Sequence, residues 1–201
     1  MITFYKTLHL KKMNVMIDLE TLSTSIDAVI IRIAAIAFDI KTGELLKEFD
    51  MKVNAKSCLD IGLKISEETI KWWINQDTKI INDTLVTSLM SSENDIKDVL
   101  SEFTEFINKL RETYKNVYIW GNGISSDNIW IRESYHKCNM KLPWKYYEDR
   151  DLRTIVYIGD HIGNKSYKDI PFEGVKHNPI DDCKHQIKYL VNIMNDLSHY
   201  E

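Results

Sequence analysis

The sequence predicts an α/β fold, a mixed β-sheet with helices on its faces. Two strands and one helix carry most of that prediction. Val29 to Phe38 is apolar almost throughout and interrupted only by Arg32, as in a central strand covered on both faces. In Leu45 to Val53, Phe49, Met51 and Val53 alternate with Glu48, Asp50 and Lys52, which marks a half-exposed strand. Ile96, Val99, Leu100, Phe103, Phe106, Ile107 and Leu110 recur at helical spacing, so Asp95 to Glu112 is a helix with one apolar face.

The other elements follow in order. Met13 to Leu19 reads as the first strand, and Lys41-Thr42-Gly43-Glu44 as the turn before the third. Three successive strands on short connections predict an antiparallel meander. Ser66 caps a helix over about Glu67 to Gln76, with acids in its first turn and Trp72 and Trp73 within it. Val117 to Trp120 is a short buried strand stopped by Gly121-Asn122-Gly123, and a helix follows from about Ser126 to Cys138. Asp151 to Ile158 reads as a short helix, and Gly159 to Gly174 as polar and loop-rich. The final helix starts with Asn178 as N-cap, Pro179 in its first position and Asp181 in its third. Ile180, Cys183, Ile187, Val191 and Met194 form its apolar stripe. The organisation is one domain over 13–201, preceded by an N-terminal extension over 1–12.

Composition narrows the class. The 201 residues are 44% apolar and 28% charged, which suits a folded globular domain. No apolar stretch approaches a membrane span, so no membrane partner is expected. Cys58, Cys138 and Cys183 are odd in number and widely spaced, which argues against a disulfide framework and for a reducing, cytoplasmic setting. The net charge of −4 speaks against grip along a duplex. With four acids set aside as metal ligands, the rest equal the 26 Lys and Arg, so an anionic substrate engaged locally is compatible with the balance.

Asp18 and Glu20 end the first strand one residue apart, and the two-residue period points both to one face. Paired acids at a buried strand end repel each other unless a hard divalent cation lies between them. The plain alternative is a strand end facing water. Asp127 follows the glycine-flanked loop, where strand turns into helix, so its carboxylate can face the same end of the sheet. Asp182 lies in the first turn of the last helix, and His177 stands just outside its cap. Across that boundary both can face the sheet, which a five-residue spacing within one helix would prevent.

These residues resemble the three motifs of the DEDD-type 3′–5′ exonucleases of the histidine subclass, which have a ribonuclease H-like fold. The first is Asp18-Leu19-Glu20-Thr21, the second Asn122 to Asp127, the third His177 to Asp182, in the family's order. Within that superfamily the chain is similar to a group that includes a mycobacterial-type exoribonuclease and the T4-type phage exonuclease A. The shared stretches are Thr69 to Gln76, Trp120 to Gly123, Arg150 to Thr154 and Asp181-Asp182-Cys183. One departure is Ser126, where an aromatic usually precedes the second-motif acid.

The resemblance implies two divalent cations, Mg²⁺ or Mn²⁺. Asp18 would bridge them, Glu20 and Asp182 would hold the first, and Asp127 would support the second through water. His177 would take the proton from the attacking water. Thr21, Trp73 and Asn122 are the candidate substrate contacts. One of Trp72 and Trp73 belongs to the core and the other could stack on a base. Asp181 rivals Asp182 but has a helix-dipole explanation, and the family spacing selects Asp182. Arg153 fits an internal ion pair better than a phosphate contact. Cys183 with His185, and His136 with Cys138, lack finger-like spacing, and Cys183 falls on the apolar stripe.

The implied function is hydrolysis of phosphodiester bonds from the 3′ end of single-stranded or overhanging nucleic acid, releasing nucleoside 5′-monophosphates. RNA is favoured over DNA as partner, an exodeoxyribonuclease being the alternative, and a homodimer is compatible with the family. A reading of another class is a non-catalytic nucleic-acid-binding or interaction module on the same fold. A proofreading subunit ranks below both.

Overall fold

A computed structural model describes residues 12–90 and 94–200. Residues 1–11, the bulk of the expected extension, lie outside the described residues. Lys12 already belongs to the first strand.

Five strands form one sheet in the order β3-β2-β1-β4-β5. β1 (Lys12–Thr21), β2 (Ile30–Phe38) and β3 (Leu45–Lys52) are antiparallel neighbours, the expected meander. β4 (Asn116–Gly121) runs parallel to β1, and β5 (Asp149–Asp151) runs parallel to β4. β2 is buried along its whole length and β3 is half-exposed, as their patterns predict. β5 is an addition to the sequence reading. It has three residues, all charged, and no apolar alternation to mark it.

Helices cover both faces. α1 (Ala55–Asp60), α2 (Glu67–Ile74) and α3 (78–90) follow the meander. α3 widens to π geometry at Ile81–Val86. α4 (Ile96–Arg111) lays its stripe on the sheet, and α5 (Ile129–Lys137) follows β4 through a π turn at Ile124–Asn128. α6 (Leu152–His161), the short α7 (Ser166–Asp169) and α8 (Pro179–Leu197) complete the chain. α6 runs three residues past the expected end, and α7 forms a single turn inside the stretch read as loop-rich.

The period of two divides β1 between two cores. Val15, Ile17 and Leu19 pack with Val99, Phe103 and Ile107 of α4 and with Trp73 of α2. Met16, on the opposite face, packs with Cys183, Ile187 and Leu190 of α8. That face continues along the strand to Asp18 and Glu20, which therefore emerge beneath the N-terminal end of α8.

Candidate active site

Asp182 and Gln186 lie one turn apart on α8 and face this row of β1. Gln186 donates from Nε2 to Asp18 Oδ1 at 2.8 Å. Glu20, His177 and Asp182 bring one ligand atom each within 4.8 Å of one another. Asp127 is buried and accepts the Leu19 backbone N–H at 3.1 Å, from the strand residue between Asp18 and Glu20. Three distant parts of the chain thus converge on one end of the sheet, as the motif order predicts.

Local backbone geometry aims these groups. β1 pairs with β2 up to Glu20 opposite Arg32 and then shifts register at Thr21. The shift passes over Ile31 of β2, and an irregularity of this kind re-aims side chains at a strand end. After β4, Gly123 takes φ +123° and Ser126 closes the loop on its carbonyl, with Oγ at 2.8 Å and N at 2.9 Å. Two hydrogen bonds from Ser126 hold the loop where an aromatic would otherwise pack. The π turn then points two successive residues inward. Asp127 reaches β1, and Asn128 donates from Nδ2 to Ile119 O at 3.2 Å and to Asp149 Oδ1 at 3.0 Å. A Cβ on Gly121 would run into the Asn128 amide, so glycine is required there.

His177 sits in a loop clasped onto α8. Its φ is +64°, a left-handed conformation that a non-glycine residue adopts only when its surroundings enforce it. Asp181 supplies part of that enforcement by accepting the Val175 N–H at 2.9 Å. The His177 backbone N–H donates to the Asp182 carboxylate. The ring of Trp72 closes the other side. Asp181 is thus turned to the loop as a clasp, and Asp182 is the one of the pair that faces Glu20 and His177.

The electrostatics are those of uncompensated acids. Burial, then Asp127, Glu20 and Asp182, pushes the Asp18 carboxyl well above its ordinary range. Burial and the neighbouring acids push Glu20 up to about 8, against the opposing pull of Arg32. Burial lifts Asp127 and Asp182 to about 6 each. Burial, then Lys176, lowers His177, which favours the neutral ring. Arg32, the cation that opposes the rise of Glu20, forks onto Asp50 at 2.7 and 2.6 Å and reaches Asp83 at 3.0 Å. Four carboxylates met only by neutral donors, among them the Gln186 amide and the Leu19 and His177 backbone N–H groups, form a hard, oxygen-rich set that suits divalent cations such as Mg²⁺ or Mn²⁺.

The candidate substrate contacts divide. Asn122 lines a cavity of about 430 Å³ together with His177, Asp182 and Gln186. Thr21 borders a larger one, about 780 Å³, lined also by Glu20, Ser23, Thr24, Ser25, Thr69 and Trp72. Trp73 is a correction. It is fully buried and its indole N–H donates to Thr21 O at 2.8 Å, so its ring cannot stack on a base. Of the two adjacent tryptophans, Trp72, 43% exposed, is the one that lines the cavity, together with Trp130 of α5. Arg153 is exposed and its guanidinium stands against Gly123; it makes no ion pair among the described residues, and its charge opposes the rise of Asp127 from a distance. Cys183 is buried and its thiol points to Met16 O, a core position. Gln186 escaped the sequence reading. Its only signal was its place one turn after Asp182 on the same helix face.

The model of the 3′-5′ exoribonuclease Rv2179c-like domain family matches residues 13–194. The chain belongs to that family. The Rv2179c-like match confirms the resemblance drawn from the three motifs and identifies the chain as a 3′–5′ exonuclease. Among solved structures, the fold is similar to the nuclease domain of 3′hExo, a DEDDh family member bound to rAMP. The TM-score is 0.65 at 13% identity, over 92% of each chain. Cell-death related nuclease 4, CRN-4, gives 0.64 at 14% identity over 92% of this chain and 64% of that one. E. coli Exonuclease I in complex with a dT13 oligonucleotide gives 0.62 at 12% identity, over 94% of this chain and 43% of that one. These likenesses show that the chain shares the ribonuclease H-like fold of these nucleases. No curated protein matches the sequence. Among the described residues, no helix is long and apolar enough to cross a membrane.

Proposed function

We propose that the protein is a 3′–5′ exoribonuclease that uses two divalent cations, Mg²⁺ or Mn²⁺, with His177 as general base. The convergence of Glu20, His177 and Asp182 within 4.8 Å, beside Asp18 and Asp127, carries this reading. Asp18 would be shared between the cations, with Glu20 and Asp182 on the first and Asp127 supporting the second. When bound, the cations supply charge stabilisation for the phosphoryl oxygens and for the leaving 3′ oxygen.

The chain's residues do the rest. His177, held neutral by burial and Lys176, takes a proton from the attacking water. The water oxygen bonds to phosphorus and the bond from phosphorus to the penultimate 3′ oxygen breaks. That oxygen gains a proton from solvent, His177 releases its own to solvent, and a nucleoside 5′-monophosphate departs from a strand now one residue shorter. Thr21, Ser23, Thr24, Ser25 and Thr69 line the adjoining cavity with hydroxyls, donors and acceptors that can meet a ribose 2′-OH. Those hydroxyls and the exoribonuclease description of the family support RNA as substrate.

The test uses matched RNA and DNA oligonucleotides with 3′ overhangs, labelled at the 5′ end. Each is incubated with Mg²⁺ or Mn²⁺ beside an Asp18→Ala control. A ladder shortening from the 3′ end of RNA, absent in the control, is expected. A ladder on DNA alone makes the protein an exodeoxyribonuclease. Binding without any ladder leaves a non-catalytic module.

A further inference from the structure

We infer that Gln186 is a positioning residue of the catalytic centre, an amide that fixes one oxygen of Asp18 and offers its own oxygen to an O–H donor inside the site. The inference rests on the cation reading above and adds a residue to it. Gln186 is 5% exposed and one helical turn beyond Asp182, so both side chains face β1. Its Nε2 donates to Asp18 Oδ1 at 2.8 Å. Its Oε1 is buried and has no hydrogen-bond partner among the described residues. Flipping the amide offers no escape, because Oε1 would then face a carboxylate oxygen. The residue also lines the cavity shared by Asn122, His177 and Asp182.

The chemistry explains why an amide stands here. A lysine or arginine at this position would satisfy Asp18 and neutralise it, competing with a cation for the same charge. A glutamine holds Oδ1 in place and leaves the charge intact, so the second oxygen of Asp18 keeps its full strength towards a metal. Residues that orient ligands in this way are worth about 10–100-fold in metal affinity or activity. The free Oε1 is an acceptor held in readiness, and a water or sugar hydroxyl in the cavity would complete it.

The experiment is a Mn²⁺ titration of the whole protein, wild type against Gln186→Met and Gln186→Ala. Thermal unfolding without metal is measured alongside. Methionine keeps the volume and removes both polar atoms. Alanine leaves room for a water that can donate to Asp18. The expected order of Mn²⁺ affinity is wild type, then alanine, then methionine, with methionine weaker by about 10-fold or more. Metal-free unfolding of the methionine variant is expected to stay at or above the wild-type temperature. Methionine within twofold of wild type overturns the inference and leaves the cation reading standing. Affinity that falls most in the alanine variant, in step with its unfolding temperature, reduces Gln186 to a packing role and also overturns it. A wild type that binds no Mn²⁺ overturns the cation reading and this inference together.

Discussion

Trp72 meets His177 edge to face, with ring centroids 4.9 Å apart and planes at 85°. The neighbouring residue, Trp73, points the other way and ties α2 to β1 through its hydrogen bond to Thr21 O. One helix therefore locks onto the strand that carries Asp18 and Glu20 and braces the histidine loop with the next side chain.

The two tryptophans should respond differently to substitution. Trp73→Ala empties a fully buried site and is expected to cost about 3–5 kcal/mol of stability. Trp72→Ala removes a half-exposed ring, costs about 1 kcal/mol or less, and lowers kcat on RNA about 10-fold by loosening His177. Trp72→Phe should restore most of the loss. Urea unfolding and single-turnover rates separate the two effects.

The metal-free protein should lose stability as pH rises. Glu20 titrates near 4.5 when unfolded and at about 8 when folded. Between those values the folded chain keeps a proton that the unfolded chain has released, so stability falls as pH increases. Asp127 and Asp182 add the same sign between 3.8 and about 6. Thermal unfolding is expected at a lower temperature at pH 8 than at pH 5 without metal. Mg²⁺ should raise the pH 8 value most, because it binds the ionised carboxylates. Equal unfolding temperatures at both pH values would contradict the account.

Asp181 and Asp182 provide a contrast between neighbours. Asp181→Ala removes the clasp on Val175 N–H and is expected to lower kcat about 10-fold while leaving Mn²⁺ affinity within a factor of about two. Asp182→Ala should weaken Mn²⁺ binding directly, and the raised unfolding temperature of the metal-free variant should report relief of repulsion. Calorimetric titration of both variants checks the division.

Arg32 is predicted to be indispensable to the sheet. It is 5% exposed on β2, opposite Glu20, and its guanidinium serves Asp50 and Asp83. Arg32→Met leaves Asp50 without its forked partner, while Asp83 keeps Lys52 Nζ at 2.7 Å, and is expected to destabilise by about 2 kcal/mol. It should also push the Glu20 carboxyl above its present value, since the opposing cation is gone. Chemical denaturation gives the first effect, and carboxyl titration by NMR the second.

Much of this was legible in the sequence because the information is local. The apolar run of β2, the alternation of β3 and the stripe of α4 each specify an element without reference to the rest of the chain. The Asn178–Pro179 start of α8 lies where the caps place it, with Asn178 Oδ1 accepting the Ile180 N–H. The site acids were legible through their motifs. β5 was not, because Asp149 to Asp151 form a strand only through what they meet: Ile119 to Gly121 alongside, and Asn128, Arg132 and Trp144 on the Asp149 carboxylate. The roles of Trp72 and Trp73 were equally hidden, since adjacent aromatics on a short helix give no sign of which one a distant strand will cover. The amide of Gln186 has meaning only beside Asp18, 168 positions away in the chain.

That separation between β1 and α8 has a consequence for synthesis. A ribosome that has delivered Asp18, Glu20 and Asp127 has delivered acids with no His177 and no Asp182. The candidate site cannot assemble until α8 has emerged and packed on β1. Through most of its translation the nascent chain therefore carries only part of the cluster, and the docking of α8 completes it.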